Sequence, residues 1–150
     1  MGSSLTRLLY HIVFSTKHRQ PLIDEMFEEE LYSYIGGIIR NSEGHLIEIG
    51  GMPDHVHILA RFSQISTVAA MLKEIKTSSS KWRNQNREGN PRFSWQVGYA
   101  AFSVSPSLLE TVRRYIRNQK AHHRQRTFEE ELVMLLDKHG IEYDTRYLFD

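Results

Sequence analysis

The sequence predicts an α+β domain of the split β-α-β-β-α-β (ferredoxin-like) kind, a four-stranded antiparallel sheet with helices on one face. Apolar residues alternate with period two over residues 8–15 and 55–62, as in half-buried strands. They recur at spacings of three and four over residues 27–39 and 68–82, as on one face of a helix. The order of these segments along the chain is what selects the split arrangement.

In the first strand, Tyr10, Ile12 and Phe14 alternate with His11 and Val13. A basic turn, Thr16-Lys17-His18-Arg19-Gln20-Pro21, follows. Asp24 is placed to cap a helix whose apolar stripe is Phe27, Leu31, Tyr34, Ile35, Ile38 and Ile39, and Glu28, Glu29 and Glu30 favour its positive end. Residues 45–50 form a second strand, joined by the Gly50 to Asp54 turn to the strand carrying His55-Val56-His57. A second long helix over residues 64–85 buries Val68, Met71, Leu72, Ile75, Ser79 and Trp82. A long aromatic strand is expected over residues 93–104. Ser107-Leu108-Leu109-Glu110 has the capping-box spacing and opens a helix to about residue 124. Thr127-Phe128-Glu129-Glu130 opens another, which Gly140 ends, and the tail with Tyr143, Tyr147 and Phe149 packs on the body. The whole reads as one domain: a core over about residues 7–105, a helix carrying Tyr115 over about 108–124, and a last helix and tail over 127–150.

A chain of 150 residues can bury most of its apolar surface without covalent staples. It has no cysteine, which excludes disulfides, thiolate metal sites and a cysteine nucleophile. The net charge of +1 means that nucleic-acid binding would rest on local basic patches. No apolar run approaches membrane-spanning length and no secretory signal is visible, so a cytoplasmic protein without membrane partners is expected.

Val56, Ile58, Ala60 and Phe62 face one side of their strand, which puts His55 and His57 together on the other. Residues two apart along a strand are about 6.7 Å apart, close enough for two imidazoles to share one ion. The same pattern also describes two histidines on a solvated face, and a site needs further groups. Tyr115 and Gln119 stand one helical turn apart and supply a phenol and an amide oxygen, although plain surface residues would have the same spacing. An ion held by His55, His57 and Gln119 would polarise a phosphate oxygen during attack by Tyr115, and the phosphotyrosine product would keep the energy needed for rejoining. Lys73, Lys76 and Arg83 on the second helix and Arg87 nearby, with Lys17, Arg19, Arg113, Arg117 and Lys120, are candidates for phosphate contacts; ordinary solvated charge is the competing reading. A zinc hydrolase using His55, His57 and His45 lacks an evident carboxylate base at useful spacing.

Pro53-Asp54-His55-Val56-His57-Ile58-Leu59, Trp95-Gln96-Val97-Gly98-Tyr99 and Arg114-Tyr115-Ile116-Arg117-Asn118-Gln119-Lys120 resemble the single-tyrosine HUH-superfamily transposases of small bacterial insertion sequences, the IS200-like transposases. Leu9-Tyr10-His11-Ile12-Val13-Phe14-Ser15-Thr16-Lys17 matches too, so the likeness runs from about residue 7 to the C-terminus. The resemblance implies His55, His57 and Gln119 as ligands of Mg2+ or Mn2+, and Tyr115 as the nucleophile. It implies a 5′-phosphotyrosine intermediate on single-stranded DNA, recognition of hairpins at element ends, and homodimers in which one subunit's tyrosine helix can complete the other's site. It also implies a cytoplasmic protein, associated with the bacterial nucleoid when DNA is bound. Some relatives carry glycines before the tyrosine helix; here the link is Ser103-Val104-Ser105-Pro106-Ser107, stiffened by Pro106. His122 and His123 are expected at the surface or on phosphates. A different class of function is a non-catalytic or domesticated single-strand-binding module, with Trp95 and Tyr99 as stacking residues.

Overall fold

The computed structural model describes residues 2–87, 91–122 and 126–148, with the side chain of residue 122 left aside. Strand β1 (Leu8–Ser15) lies inside a four-stranded antiparallel sheet with β2 (His45–Met52), β3 (His55–Phe62) and β4 (Ala100–Ser103), in the order β2-β3-β1-β4. The sheet does not close. Helices α1 (Glu25–Asn41) and α2 (Val68–Asn86) cover one face. Ile12 and Phe14 of β1 and Val56, Ile58, Ala60 and Phe62 of β3 meet Phe27, Leu31, Ile35, Met71, Leu72 and Ile75 there. Burial of each such large side chain contributes roughly 2 kcal/mol, so this face is the main source of cohesion. Asp24 caps α1 through Oδ1 to the N–H of Phe27 at 2.7 Å, as its position predicts.

The second face is covered as well. Helix α3 (Leu109–Arg117), the short α4 (Gln119–His122) and α5 (Phe128–Lys138) lie over it. Phe128, Leu132, Leu135 and Leu136 of α5 form a smaller core with Val13 and Phe102, joined by Tyr143 and Leu148 of the tail. Tyr147 is exposed, and Phe149 lies outside the described residues. Both reciprocal hydrogen bonds of the Thr127–Glu130 capping box form at the start of α5.

Several boundaries depart from expectation. The strand expected over residues 93–104 shrinks to β4, with an isolated bridge from Trp95 to Thr16. Gly98 has a φ of +93°, which breaks the extended path, and Lys76 binds the carbonyls of Gln96 and Gly98, holding the segment out as a loop. Helix α2 begins at Val68 rather than residue 64 because Thr67 accepts the N–H of Ala70 and caps it. The Ser107–Glu110 box does not form: Pro106–Leu108 make a 3-10 turn, and Leu108 precedes α3 without a side-chain cap. The expected helix to residue 124 breaks at Asn118 (φ −96°, ψ 20°), and its end, with His123, lies outside the described residues.

Thr127→Ala removes the cap that starts α5 and is expected to cost about 1 kcal/mol. In a domain of this size that lowers the melting temperature by roughly 2–4 °C, measurable by thermal unfolding.

Candidate functional site

The register of the sheet fixes where the imidazoles fall. His57 pairs with Val13 on one side and Gly50 on the other, and His55 pairs with Ser15 and Met52. Both histidines project to the face covered by α3 and α5, and both are completely buried. His11 of β1 joins them, with its Nε2 at 2.9 Å from His57 Nδ1.

Tyr115 reaches the same place from α3. Its ring centroid is 5.9 Å from that of His57 and 6.1 Å from that of His11. The approach depends on Gly50: a Cβ there would collide with the backbone carbonyl of Ile116, so the bare strand admits α3 against β2. Arg113 and Arg117 anchor the helix from outside through Glu48 of β2, at 3.2 and 2.9 Å. Beyond the Asn118 break, Gln119 turns inward and is almost wholly buried, with Oε1 at 3.3 Å from His55 Nε2. Both Tyr115 and Gln119 therefore face the histidines of their own chain.

Sequence reasoning missed the residue that joins them. Glu131 of α5 is completely buried. Its Oε1 lies 2.8 Å from His57 Nε2 and 3.4 Å from His55 Nε2. Its Oε2 accepts the Tyr115 hydroxyl and, at 3.0 Å, the amide N–H of Gln119. Ligand atoms of His55, His57 and Glu131 all lie within 4.8 Å of one another, a spacing that suits one ion with little adjustment. The signal was present: Glu131 stands three residues after Phe128 and four before Leu135, on the apolar stripe, although it also ends the acidic first turn that helix dipoles favour.

Asp54 Oδ1 lies 2.7 Å from His55 Nδ1 and fixes that ring with Nε2 toward the site. Burial alone would lower the His55 pKa, but hydrogen bonds to Asp54 and Glu131 outweigh it and raise it to about 8. Burial, helped by His57, keeps His11 neutral by lowering its pKa well below the usual range. Its Nε2 can then donate to or accept from His57 Nδ1, according to tautomer. The Tyr115 phenol is pushed upward, first by burial and then by the Glu131 carboxylate, so its ionisation needs assistance.

The expected phosphate contacts separate. Arg83 does not join them: it is buried over Phe27 and Phe93 and donates to the carbonyl of Pro91. Arg87 pairs with Asp24, Arg19 with Glu129, and Lys120 with Glu28. Lys17 and Lys73 are exposed, and Lys73 lines a groove of about 730 Å³ with Lys76, Ser80, Lys81 and Arg92. Trp95 is no stacking surface, since it is buried with Nε1–H on Ser79 Oγ at 2.9 Å; Tyr99 remains exposed. His45 sits at the far end of β2, paired with Arg61.

A domain with a split sheet, a buried histidine pair and a tyrosine on a late helix has a match among known families. The family model described as "Transposase IS200 like" matches residues 4–119, and the chain belongs to that family. The ISDra2 transposase TnpA of Deinococcus radiodurans is 22% identical over 121 residues, covering 75% of this chain and 84% of that protein. A crystal structure of a protein assigned as a transposase, from Deinococcus radiodurans R1, superposes with a TM-score of 0.62 at 21% identity, covering 79% of this chain and 95% of that one. A REP-associated tyrosine transposase bound to a REP hairpin gives 0.61 at 13% identity, covering 82% and 74% respectively. At these identities the two structures establish the shared fold.

Gly50→Ala is expected to cost about 1–3 kcal/mol through overpacking and to displace α3, which a lower melting temperature and greater Tyr115 exposure would register. In ion-free protein, the raised His55 pKa gives a contribution to stability that is complete below about pH 6.5 and lost as pH rises through about 8. Melting chelator-treated protein and a His55→Gln variant across that range tests it: only the native chain should lose this increment.

Proposed function

We propose that this chain is a metal-dependent transposase that cleaves and rejoins single-stranded DNA at the ends of an insertion sequence, through a 5′-phosphotyrosine intermediate. The observation that carries the reading is the convergence of the Tyr115 phenol, the Gln119 amide and the His55–His57 pair within one chain. His55, His57 and Gln119 would hold a Mg2+ or Mn2+ ion. In support, the Gln119 oxygen lies 3.3 Å from His55 Nε2, the ligand nitrogens of His55 and His57 are within 4.8 Å of each other, and Asp54 orients His55 from behind. Two nitrogen donors favour Mn2+ over Mg2+. When bound, the ion supplies Lewis-acid polarisation of the scissile phosphate.

Tyr115 is the nucleophile. Its Oη forms a bond to phosphorus as the bond from phosphorus to the 3′ oxygen breaks, and the phenolic proton ends on the released 3′ hydroxyl. Glu131 Oε2 already accepts that proton in a hydrogen bond and is the base closest to hand. Reversal with a different 3′ hydroxyl rejoins the strand without an external energy source. Lys17, Arg19, Lys73, Lys76, Arg87, Arg113, Arg117 and Lys120 would contact the DNA backbone, with the Lys73–Lys76 groove as the leading surface. The hairpin bound by the REP-associated relative supports hairpin DNA as the ligand. We also retain a homodimer and a cytoplasmic, nucleoid-associated location as parts of the proposal; among the described residues no helix is long and apolar enough to cross a membrane.

Complete burial of the histidines favours a second reading, a single-strand-binding module that keeps the fold without strand cleavage. One experiment separates them. Incubation with Mn2+ and a labelled, hairpin-bearing single strand is expected to give an adduct that survives denaturing electrophoresis. Tyr115→Phe should abolish it while leaving binding largely intact, and His57→Ala or chelation should stop cleavage. An adduct formed by Tyr115→Phe would refute the assignment of the nucleophile, and binding without any adduct in the native chain would favour the binding module.

A further inference from the structure

We propose that Glu131 is itself a ligand of the ion, adding the only charged donor to the set of His55, His57 and Gln119. This rests on the reading above that an ion binds between the two imidazoles. Oε1 of Glu131 is closer to His57 Nε2, at 2.8 Å, than Gln119 Oε1 is to His55 Nε2, at 3.3 Å. It also faces His55 Nε2 at 3.4 Å, so a single carboxylate oxygen addresses both ring nitrogens at separations of the kind found between donors around one ion.

Charge argues for the same assignment. His55, His57 and Glu131 are completely buried and Gln119 nearly so. A divalent cation transferred into such a site among neutral imidazoles and an amide alone would lose its hydration with no opposing charge. One carboxylate removes half of that excess and supplies the hard oxygen donor that Mg2+ and Mn2+ prefer.

Glu131 belongs to α5, beyond the family-matched span of residues 4–119. The family's shared segment therefore does not contain the whole ligand set, and an ion on Glu131 ties α5 to β3. Oε2 remains directed at Tyr115 and Gln119, so one side chain connects the ion to the nucleophile.

The test is Mn2+ binding by the full chain after chelator treatment, followed by the loss of the free-ion signal in electron paramagnetic resonance. Glu131→Gln keeps the size of the side chain and one acceptor oxygen while removing the charge, and is expected to weaken Mn2+ binding tenfold or more, with Gln119→Ala losing less. Binding by Glu131→Gln within twofold of the native chain, while His57→Ala loses it, would overturn the proposal and leave Glu131 as a partner of Tyr115 and Gln119 only. Equal binding by native and His57→Ala chains would remove the underlying ion site and this ligand with it. Should Glu131→Gln fail to fold, the native chain carrying carboxyl-13C glutamate decides: a strong 13C hyperfine coupling to bound Mn2+ is expected, and its absence overturns the assignment.

Discussion

The carboxylate of Glu131 reaches from α5 to β3, α3 and α4, meeting His57 and His55, the Tyr115 hydroxyl and the Gln119 amide in turn. The histidines, the Gln119 amide and the carboxylate itself lie below the surface, where an unmatched polar group costs far more than in water. Each partner therefore needs the carboxylate as much as the carboxylate needs them. The sheet supplies the fixed side of this arrangement through its register, and the Thr127 cap with the Phe128, Leu132, Leu135 and Leu136 contacts supplies the other.

Division of labour between the two faces of the sheet follows from alternation along β1 and β3. One set of side chains makes a conventional apolar core under α1 and α2. The other set is mixed, with His11, Val13, His55, His57 and Leu59 on the face whose helices carry both leucines and the side chains of Tyr115, Gln119 and Glu131. Polar chemistry under a helix is stable here because His11, His55 and His57 each have a nitrogen partner or a carboxylate. Gly50 has an equally local part: without its bare Cα the backbone of α3 could not come down to the level of the imidazoles.

Much of this was legible in the sequence, because period-two and period-three-four patterns record burial directly. The pairing of His55 with His57 followed from the strand period, and the likeness carried by Tyr115 and Gln119 led to the family that the comparison establishes. Glu131 escaped because it is sixteen residues beyond Tyr115 and ends a run of three acidic residues that dipole and capping arguments already explain. His11 alternates with Ile12 and Phe14 in the sequence, but only the register shows that it lies beside His57. The extent of β4 was overestimated because apolar composition over residues 93–104 says nothing of Lys76, which reaches from α2 to the carbonyls of Gln96 and Gly98. Arg83 illustrates the converse: its charge suggested solvent, whereas the flat guanidinium fills a slot between two phenylalanines.

Tyr115 comes to rest against histidines of its own chain, so the phenol and the imidazoles meet within a single molecule. Were the proposed strand cleavage to run from this arrangement, it would be first order in protein, and dilution would leave the yield per molecule unchanged. Two damaged copies, one without the phenol and the other without an imidazole, could rescue each other only by withdrawing α3 from the hollow at Gly50 and trading it across.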